Sequence, residues 1–298
     1  MLALRKAEED ILRRAYADTA LGQIHYRDGG GSGEPLILLH ASPRSSRVYA
    51  GLIPLLAPDY RVFAMDTLGS GNSDPLPDSV TMDELARGVV LFMDALGIER
   101  ANVFGLHTGN KIGAALGANW PDRVKDLILC GETHSIVVRA EDRNTAIHAI
   151  VDRYFNTEAP SEHSRLLADW ASGFTNLSSV WWHDGVLATH ELSTGVLDIL
   201  KDRVTDFVQA RSCLDVLYNA NFSFDFSDAM RRIPNRTLII ELARAEEAHL
   251  GRQGASVVKL LSSGTLVTME DTSADVIEFE PSRMAESILD FLGNRVAH

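Results

Sequence analysis

The chain has 298 residues, of which 45% are hydrophobic, and its formal net charge at pH 7 is −13. That length and apolar content suffice for one large domain, or for one domain with a sizeable insertion. Because the sequence is acidic and contains no cluster of lysine and arginine, we expect no nucleic-acid partner.

The first half of the chain alternates between strand and helix patterns. Residues 4–15 carry apolar side chains at helical spacing and predict a short amphipathic helix. Apolar or alternating runs predict strands over residues 23–28, 35–40, 60–66, 101–106 and 126–131. Helices are predicted over residues 48–57, 81–96 and 108–119, the second of which begins with a capping box of Thr81 and Glu84. This alternation is typical of a mostly parallel sheet with helices on both faces.

The alternation pauses over residues 133–225, where the pattern is helical throughout. Strands resume at residues 236–241 and 265–269, and a last helix begins at Pro281. We therefore divide the chain into a core, residues 1–132 and 226–298, and an inserted helical cap, residues 133–225. The last helix is expected to bury four apolar side chains, Met284, Ile288, Phe291 and Leu292.

A histidine stands at the centre of a motif that usually holds serine. The run Gly105-Leu106-His107-Thr108-Gly109 has the frame of a nucleophile elbow, G-x-S-x-G, in which a sharp strand-to-helix turn projects its central side chain. Histidine tolerates the positive φ of such a turn better than most residues do. The sequence therefore predicts a hydrolase scaffold whose reacting atom has changed.

Three further motifs occur in the order expected for one known family. They are His40-Ala41-Ser42-Pro43 after a buried strand, the loop Asp66-Thr67-Leu68-Gly69-Ser70-Gly71-Asn72-Ser73, and the stretch Trp120-Pro121-Asp122-Arg123-Val124. With the elbow, they make residues 20–296 similar to the α/β-hydrolase fold family. The resemblance implies an α/β architecture with an eight-stranded, mostly parallel sheet, helices on both faces and an inserted helical cap.

The chain departs from the family at its catalytic positions. The resemblance places the family's histidine at Ala274, and no histidine occurs between residues 250 and 297. The family's aspartate has no clear counterpart, although Glu246 lies near its position. Because serine and histidine are both missing, the usual Ser-His-Asp triad cannot operate.

The two changes suggest a dyad with exchanged positions. His107 stands on the elbow, and Asp275 follows the vacated histidine position. Asp275 would fix the tautomer of His107, whose other ring nitrogen would act as a base or, less readily, as a nucleophile. A helix N-terminus disfavours protonation of His107, whereas a carboxylate partner favours it. Glu132, after the sixth strand, is a second candidate acid that could replace or assist Asp275.

The resemblance also implies an oxyanion hole and a pocket. Its donors would be the backbone N–H of Thr108 and an N–H from the loop after His40, that of Ala41 or Ser42. Four side chains are candidates to line the substrate pocket, with a structural role for His40 and simple packing for the tryptophans as alternatives: His40, His134, Trp181 and Trp182.

These residues support three functions. The first is a cofactor-independent, hydrolase-like enzyme acting on a small, largely apolar ester, lactone or other carbonyl compound. The second is a catalytically silent binding protein in which His107 merely fills the pocket, and the third is a cofactor-free C–C lyase or decarboxylase. We expect no cofactor and no metal, because His107, Glu132 and His134 lack the usual ligand spacing.

The expected partner is a small-molecule substrate. No run of 18 apolar residues occurs, and residues 1–17 lack the apolar segment of a signal peptide. We therefore expect a cytoplasmic protein without a membrane partner. A homodimer formed through the cap helices is kept as an option.

Overall fold

A computed structural model describes residues 12–131, 164, 194–243, 252–270, 272 and 276–293. These residues contain one eight-stranded sheet. Its strands are β1 (Arg13–Thr19), β2 (Gly22–Asp28), β3 (Glu34–Leu39), β4 (Tyr60–Met65), β5 (Ala101–Leu106), β6 (Val124–Cys130), β7 (Arg236–Ala243) and β8 (Gly264–Glu270).

The sheet has the strand order β1-β2-β4-β3-β5-β6-β7-β8. β1 pairs antiparallel with β2, and β2 pairs antiparallel with β4, whereas all other neighbours are parallel. The predicted mostly parallel sheet is thus confirmed. Because β3 lies between β4 and β5, with Leu39 opposite Gly105, the loop after β3 and the elbow after β5 leave the same edge side by side.

Helices cover both faces of the sheet. The α-helices are α1 (Ile53–Leu56), α2 (Met82–Ala95), α3 (Thr108–Asn119), α4 (Thr194–Ala210), α5 (Leu214–Ser223), α6 (Phe226–Arg232), α7 (Gly254–Val258), α8 (Val276–Phe279) and α9 (Pro281–Gly293). α2 begins with the predicted capping box, in which the Thr81 hydroxyl accepts from the Glu84 N–H and the Glu84 carboxylate accepts from the Thr81 N–H.

Two of the predicted helices differ in the structure. The expected helix over residues 48–57 is a 3₁₀ turn, Ser46–Tyr49, followed by the single turn α1, whose second residue is Pro54. The expected helix over residues 4–15 is wrong at its end, because residues from Arg13 onward form β1. Pairing with β2, through contacts such as Ala15 opposite Tyr26, outweighs the helical spacing of a few apolar residues. Residues 1–11 lie outside the described residues.

The central strands are buried on both faces, so their side chains divide between two cores. Along β3, Ile37 and Leu39 belong to one apolar cluster, and Leu36 and Leu38 belong to the other. Each such side chain, fully removed from water, contributes about 1.5–3 kcal/mol. α9 packs on the second cluster and buries the four side chains that the sequence predicted, Met284, Ile288, Phe291 and Leu292.

The structure describes part of the predicted cap. Residues 194–223, within the predicted cap, are helical and form α4, a short 3₁₀ turn and α5. The predicted cap boundaries stay predictions, because residues 132–163 and 165–193 are outside the described part of the chain. Among the helices that the structure describes, none combines the length and the hydropathy needed to cross a bilayer.

The close approach of Gly109 to β3 generates a testable prediction. A Cβ built on Gly109 would overlap the backbone carbonyl of Leu39, and backbone cannot move aside as a flexible side chain can. We expect Gly109→Ala to lower the free energy of unfolding by about 3 kcal/mol, as overpacking does, measured by urea denaturation. Gly88→Ala is the control, because a Cβ on Gly88 within α2 would meet Leu68 Cδ1 at an ordinary contact distance of 4.0 Å, and alanine favours helix by about 0.5–1 kcal/mol. A Gly109→Ala protein as stable as wild type would contradict this close approach.

Candidate functional site

His107 occupies the strand-to-helix turn between β5 and α3. Its backbone dihedrals are φ 47° and ψ −104°, and among the described residues it is the one non-glycine residue with positive φ. Its N–H donates to the Cys130 carbonyl at 2.9 Å, and its own carbonyl accepts from the Asn110 N–H at 3.1 Å. The turn is therefore fixed from the β6 side and by the first turn of α3. A conformation of this kind costs about 1–3 kcal/mol and is found most often at functional sites.

The imidazole of His107 lies against the backbone of Gly131. A Cβ built on Gly131 would be 2.6 Å from Cε1 and 2.8 Å from Nδ1 of the ring. Gly131 has φ +68° and follows β6 directly, so the ring lies across the ends of β5 and β6. His107 is partly exposed at the carboxyl edge of the sheet, which is where ligands bind in open α/β sheets.

The loop after β3 contacts the elbow through Ser42 and Thr108. The backbone N–H of Ser42 donates to the Thr108 hydroxyl oxygen at 3.3 Å. The carbonyl of Ser42 accepts from the hydroxyl of Tyr218, also at 3.3 Å, and the Tyr218 ring stacks on Phe222 of α5. The backbone N–H and the backbone carbonyl of Ser42 are thus both held, the first by the elbow helix and the second by α5.

His40 is a fully engaged, buried imidazole. Its Nε2 accepts from the Thr67 N–H at 3.0 Å, so its Nδ1 carries the proton and donates to the Ala41 carbonyl at 2.8 Å. Burial lowers the pKa of His40, even though Asp66 acts to raise it, which keeps the ring neutral. These contacts tie the loop after β3 to the loop after β4 and match the structural role that the sequence left open for His40.

Asp66 is the polar centre of that second loop. Its carboxylate accepts from His25 Nδ1 at 2.8 Å, from the Ser46 N–H at 2.6 Å and from the Asn72 N–H at 2.9 Å. Burial by itself raises the pKa of Asp66, but the bond from His25, the nearby His40 and the two backbone donors outweigh it and lower the pKa to about 2. The carboxylate is therefore ionised and pins both loops at the edge of the sheet.

A buried carboxylate, Glu278 of α8, joins the loop after β3 to α4. Arg44 contacts it with two parallel hydrogen bonds of 3.0 and 2.7 Å, and Arg203 of α4 donates to it at 2.9 Å. The Glu278 side chain is only 2% exposed. Bidentate pairing of this kind neutralises the two charges and also fixes the relative orientation of the Arg44 and Glu278 side chains.

A second buried carboxylate, Asp206, lies on α4, three residues after Arg203. It accepts from the Ser45 hydroxyl at 2.7 Å and from Arg47 at 3.0 Å, and Arg44 Nε is 3.6 Å away. Burial raises the pKa of Asp206 despite these arginines. Because Arg44 contacts both acids, α4, α8 and the loop after β3 share one charged cluster, Arg44, Arg47, Arg203, Asp206 and Glu278.

Sequence reasoning found part of this arrangement. The structure brings together His107, Thr108, Ser42, Ala41 and His40 at the edge of β3 and β5. Five predicted site residues lie outside the described residues: Asp275, Glu132, His134, Trp181 and Trp182. Within the described part of the chain, no group of three or more His, Cys, Asp or Glu side chains is arranged to hold a metal ion.

Three contributors were missed: Tyr218, Asp206 and Glu278. Arg203 and Asp206 are three residues apart and hence share one helix face, which was a usable signal for a charged contact on the cap. Glu278 lies in a run of acidic residues in which no local pattern distinguishes it, and Tyr218 is part of no recognisable motif.

Comparisons with known proteins agree with this architecture. Residues 34–175 match the family described as alpha/beta hydrolase fold. The chain is 36% identical over 114 residues to a 2-hydroxy-6-oxononadienedioate/2-hydroxy-6-oxononatrienedioate hydrolase of Paraburkholderia xenovorans, covering 37% of this chain and 39% of that protein. It is also 36% identical over 113 residues to haloalkane dehalogenase 2 of Mycobacterium bovis, covering 38% and 39%. The matched segment thus spans about two-fifths of these relatives.

A solved structure extends the likeness to nearly the whole chain. The enol-lactonase of Burkholderia xenovorans superposes with a TM-score of 0.69 at 22% identity, covering 94% of this chain and 100% of that one. At this identity the similarity establishes the fold.

The anchoring of Asp66 predicts a pH-dependent stability. Its folded pKa of about 2 lies below the ordinary 3.8, so its contribution is complete above pH 4 and is lost as the pH falls towards 2. At about 1.4 kcal/mol for each pKa unit, that contribution is about 2 kcal/mol. We expect Asp66→Asn to be less stable than wild type by this order at pH 6, with the difference shrinking as the pH falls from 4 to 3.

Urea denaturation of both proteins at pH 6, 4 and 3 measures this difference. Asp59→Asn, at an exposed position, is the control and should follow wild type at every pH. A difference between Asp66→Asn and wild type that stays constant from pH 6 to pH 3 would show that the carboxylate charge is not the stabilising feature.

Proposed function

Because this chain has the α/β-hydrolase fold, we propose that it is a cofactor-independent hydrolase acting on a small, largely apolar ester, lactone or other carbonyl compound. His107 would be the base, and the site would lie where β3 and β5 end. The cytoplasm is the compartment that we propose for it.

The position of His107 carries this proposal. A titratable ring stands on a strained turn, at the N-terminus of a buried helix, where the fold projects its reacting group. A histidine that only filled space would gain nothing from the cost of positive φ, which a glycine would avoid. A functional role explains why the backbone strain at His107 is retained, because the turn then directs the imidazole at a bound molecule.

The chemistry follows from the neighbours of the ring. A neutral imidazole can take a proton from water, and the hydroxide that forms attacks the carbonyl carbon of an ester or lactone. Negative charge then develops on the carbonyl oxygen, and the amide of Thr108, at the first position of α3, has no partner within the helix and is available to it. The leaving alkoxide recovers the proton from the imidazolium.

An acidic partner for His107 completes the proposal. We propose Asp275 as that partner, with Glu132 as the alternative; in the sequence, Glu132 comes after β6 and Asp275 after β8. Such a carboxylate would hold one ring nitrogen protonated and direct the other at the substrate. We further propose that His134, Trp181 and Trp182 line the pocket from the cap.

The relatives support hydrolysis as the reaction. The two relatives described above are named for bond-cleaving reactions, one as a hydrolase and one as a dehalogenase. The match to the family covers residues 34–175 and therefore includes the elbow and the loop after β3.

Turnover measurements test the role of His107. We expect wild type to hydrolyse a member of a panel of p-nitrophenyl esters, lactones and 3-oxo acids, and His107→Ala to lose at least about 10²-fold in kcat/KM, which is typical for removal of a general base. A serine-directed fluorophosphonate should leave position 107 unlabelled. Tight binding of panel members without turnover would show a binding protein instead, and undiminished activity in His107→Ala would move the chemistry elsewhere.

The acid is tested by Asp275→Asn, which preserves size and removes the charge. We expect kcat to fall by about 10²-fold or more while the thermal melting temperature stays close to that of wild type, because an amide fixes the wrong tautomer. Glu132→Gln is the matched variant. If it loses activity and Asp275→Asn does not, the dyad is His107 with Glu132.

A further inference from the structure

The hydroxyl of Thr108 lies in front of the Ser42 amide, which the sequence predicts as a donor to the substrate oxygen. The Ser42 N–H, one of the two expected oxyanion donors, points at the Thr108 hydroxyl oxygen at 3.3 Å. A hydrogen bond already formed to a protein atom is not offered to a ligand. The amide would have to leave Thr108 before it could contact a substrate oxygen directly.

The Ser42 peptide is poorly placed to make that move. The Ser42 N–H shares its peptide with the Ala41 carbonyl, which accepts from His40 Nδ1 and from the Arg44 N–H, both at 2.8 Å. The Ser42 carbonyl, in the next peptide, accepts from the hydroxyl of the buried Tyr218 at 3.3 Å. Arg44, two residues further on, is paired with the buried Glu278. Turning the amide away from Thr108 would disturb contacts with α5 and α8, so the Thr108 contact is expected to persist.

The Thr108 hydroxyl retains one hydrogen-bonding capacity that the structure does not use. A hydroxyl offers one proton and can accept two hydrogen bonds. Thr108 Oγ1 accepts from Ser42, and across the described residues its proton has no acceptor. Thr108 as a residue is only 4% exposed, and a buried donor without a partner costs about 1–3 kcal/mol.

A second hydroxyl at the same place shows the same deficit. Ser42 Oγ is buried and has no hydrogen-bond partner among the residues that the structure describes. Two under-used hydroxyls beside one helix N-terminus indicate a position built for a polar atom from a bound molecule. An oxygen acceptor is the complement of hydroxyl and amide donors.

We propose that Thr108 is a catalytic residue whose hydroxyl donates directly to the carbonyl oxygen of the substrate, with the Ser42 amide acting through it. This proposal rests on the proposed function and specifies its oxyanion site. Because the hydroxyl accepts from Ser42, its O–H is polarised and becomes a stronger donor. Its bond to the oxygen strengthens as that oxygen becomes an anion, which favours the transition state over the bound substrate.

The matched variants Thr108→Val and Thr108→Ser test this role with p-nitrophenyl butyrate as substrate. Valine keeps the shape and removes the hydroxyl, while leaving the Ser42 amide uncovered. We expect kcat to fall by about 10²-fold in Thr108→Val with little change in KM, as on loss of an oxyanion donor, and to stay within about threefold of wild type in Thr108→Ser. Melting temperatures establish that both variants fold.

The direction of the change in kcat distinguishes a catalytic hydroxyl from one that only covers the Ser42 amide. Were the hydroxyl only covering the Ser42 amide, its removal would expose a better donor and kcat would rise in Thr108→Val. Unchanged or increased kcat in that variant therefore overturns the proposal and leaves the role of His107 intact.

Binding of n-butyrate, measured by isothermal titration calorimetry, separates this proposal from hydrolysis itself. We expect its affinity to fall at least tenfold in Thr108→Val and to be retained in Thr108→Ser. That result in a protein without turnover would support the hydroxyl site and refute the hydrolase. Neither turnover nor butyrate binding in wild type would overturn both.

Discussion

The site depends on the parallel pairing of β3 with β5. Leu39 lies opposite Gly105, so both strands end at the same level, and the residues that follow them come into contact. Gly109 permits this approach because its α-carbon faces the Leu39 carbonyl with no room for a side chain. The Ser42 amide, the Thr108 hydroxyl and the His107 ring are neighbours for this reason, although Ser42 and His107 are 65 positions apart in the sequence.

Buried charges keep this edge in place. Asp66 holds the loops after β3 and β4 through three donors, and Glu278 and Asp206 connect the first of these loops to α8 and α4. An ionised group removed from water is tolerated only when it is well paired. Here the pairing links parts of the chain that are distant in sequence, so it orients the loops around the site more than it adds net stability.

The sequence was informative wherever the pattern was local. Apolar runs marked β3 to β6, the Thr81 and Glu84 pair marked the start of α2, and the spacing of Gly105 and Gly109 marked the elbow. Local sequence patterns did not predict the contacts between distant segments. No local pattern shows that Tyr218 reaches Ser42, or that Glu278 is buried while neighbouring acids are not. β1 was missed for the same reason, because its strand form comes from pairing with β2.

The arginine at position 44 also determines how α4 can leave the core. It touches the carboxylates of Glu278 and Asp206, which belong to different helices. If α4 moved only partly away, Arg44 and the Asp206 carboxylate would lose contact with each other, and too little water would enter the gap to solvate them. Intermediate positions are therefore the costly ones, and α4 is expected to have discrete seated and hydrated positions instead of a continuum.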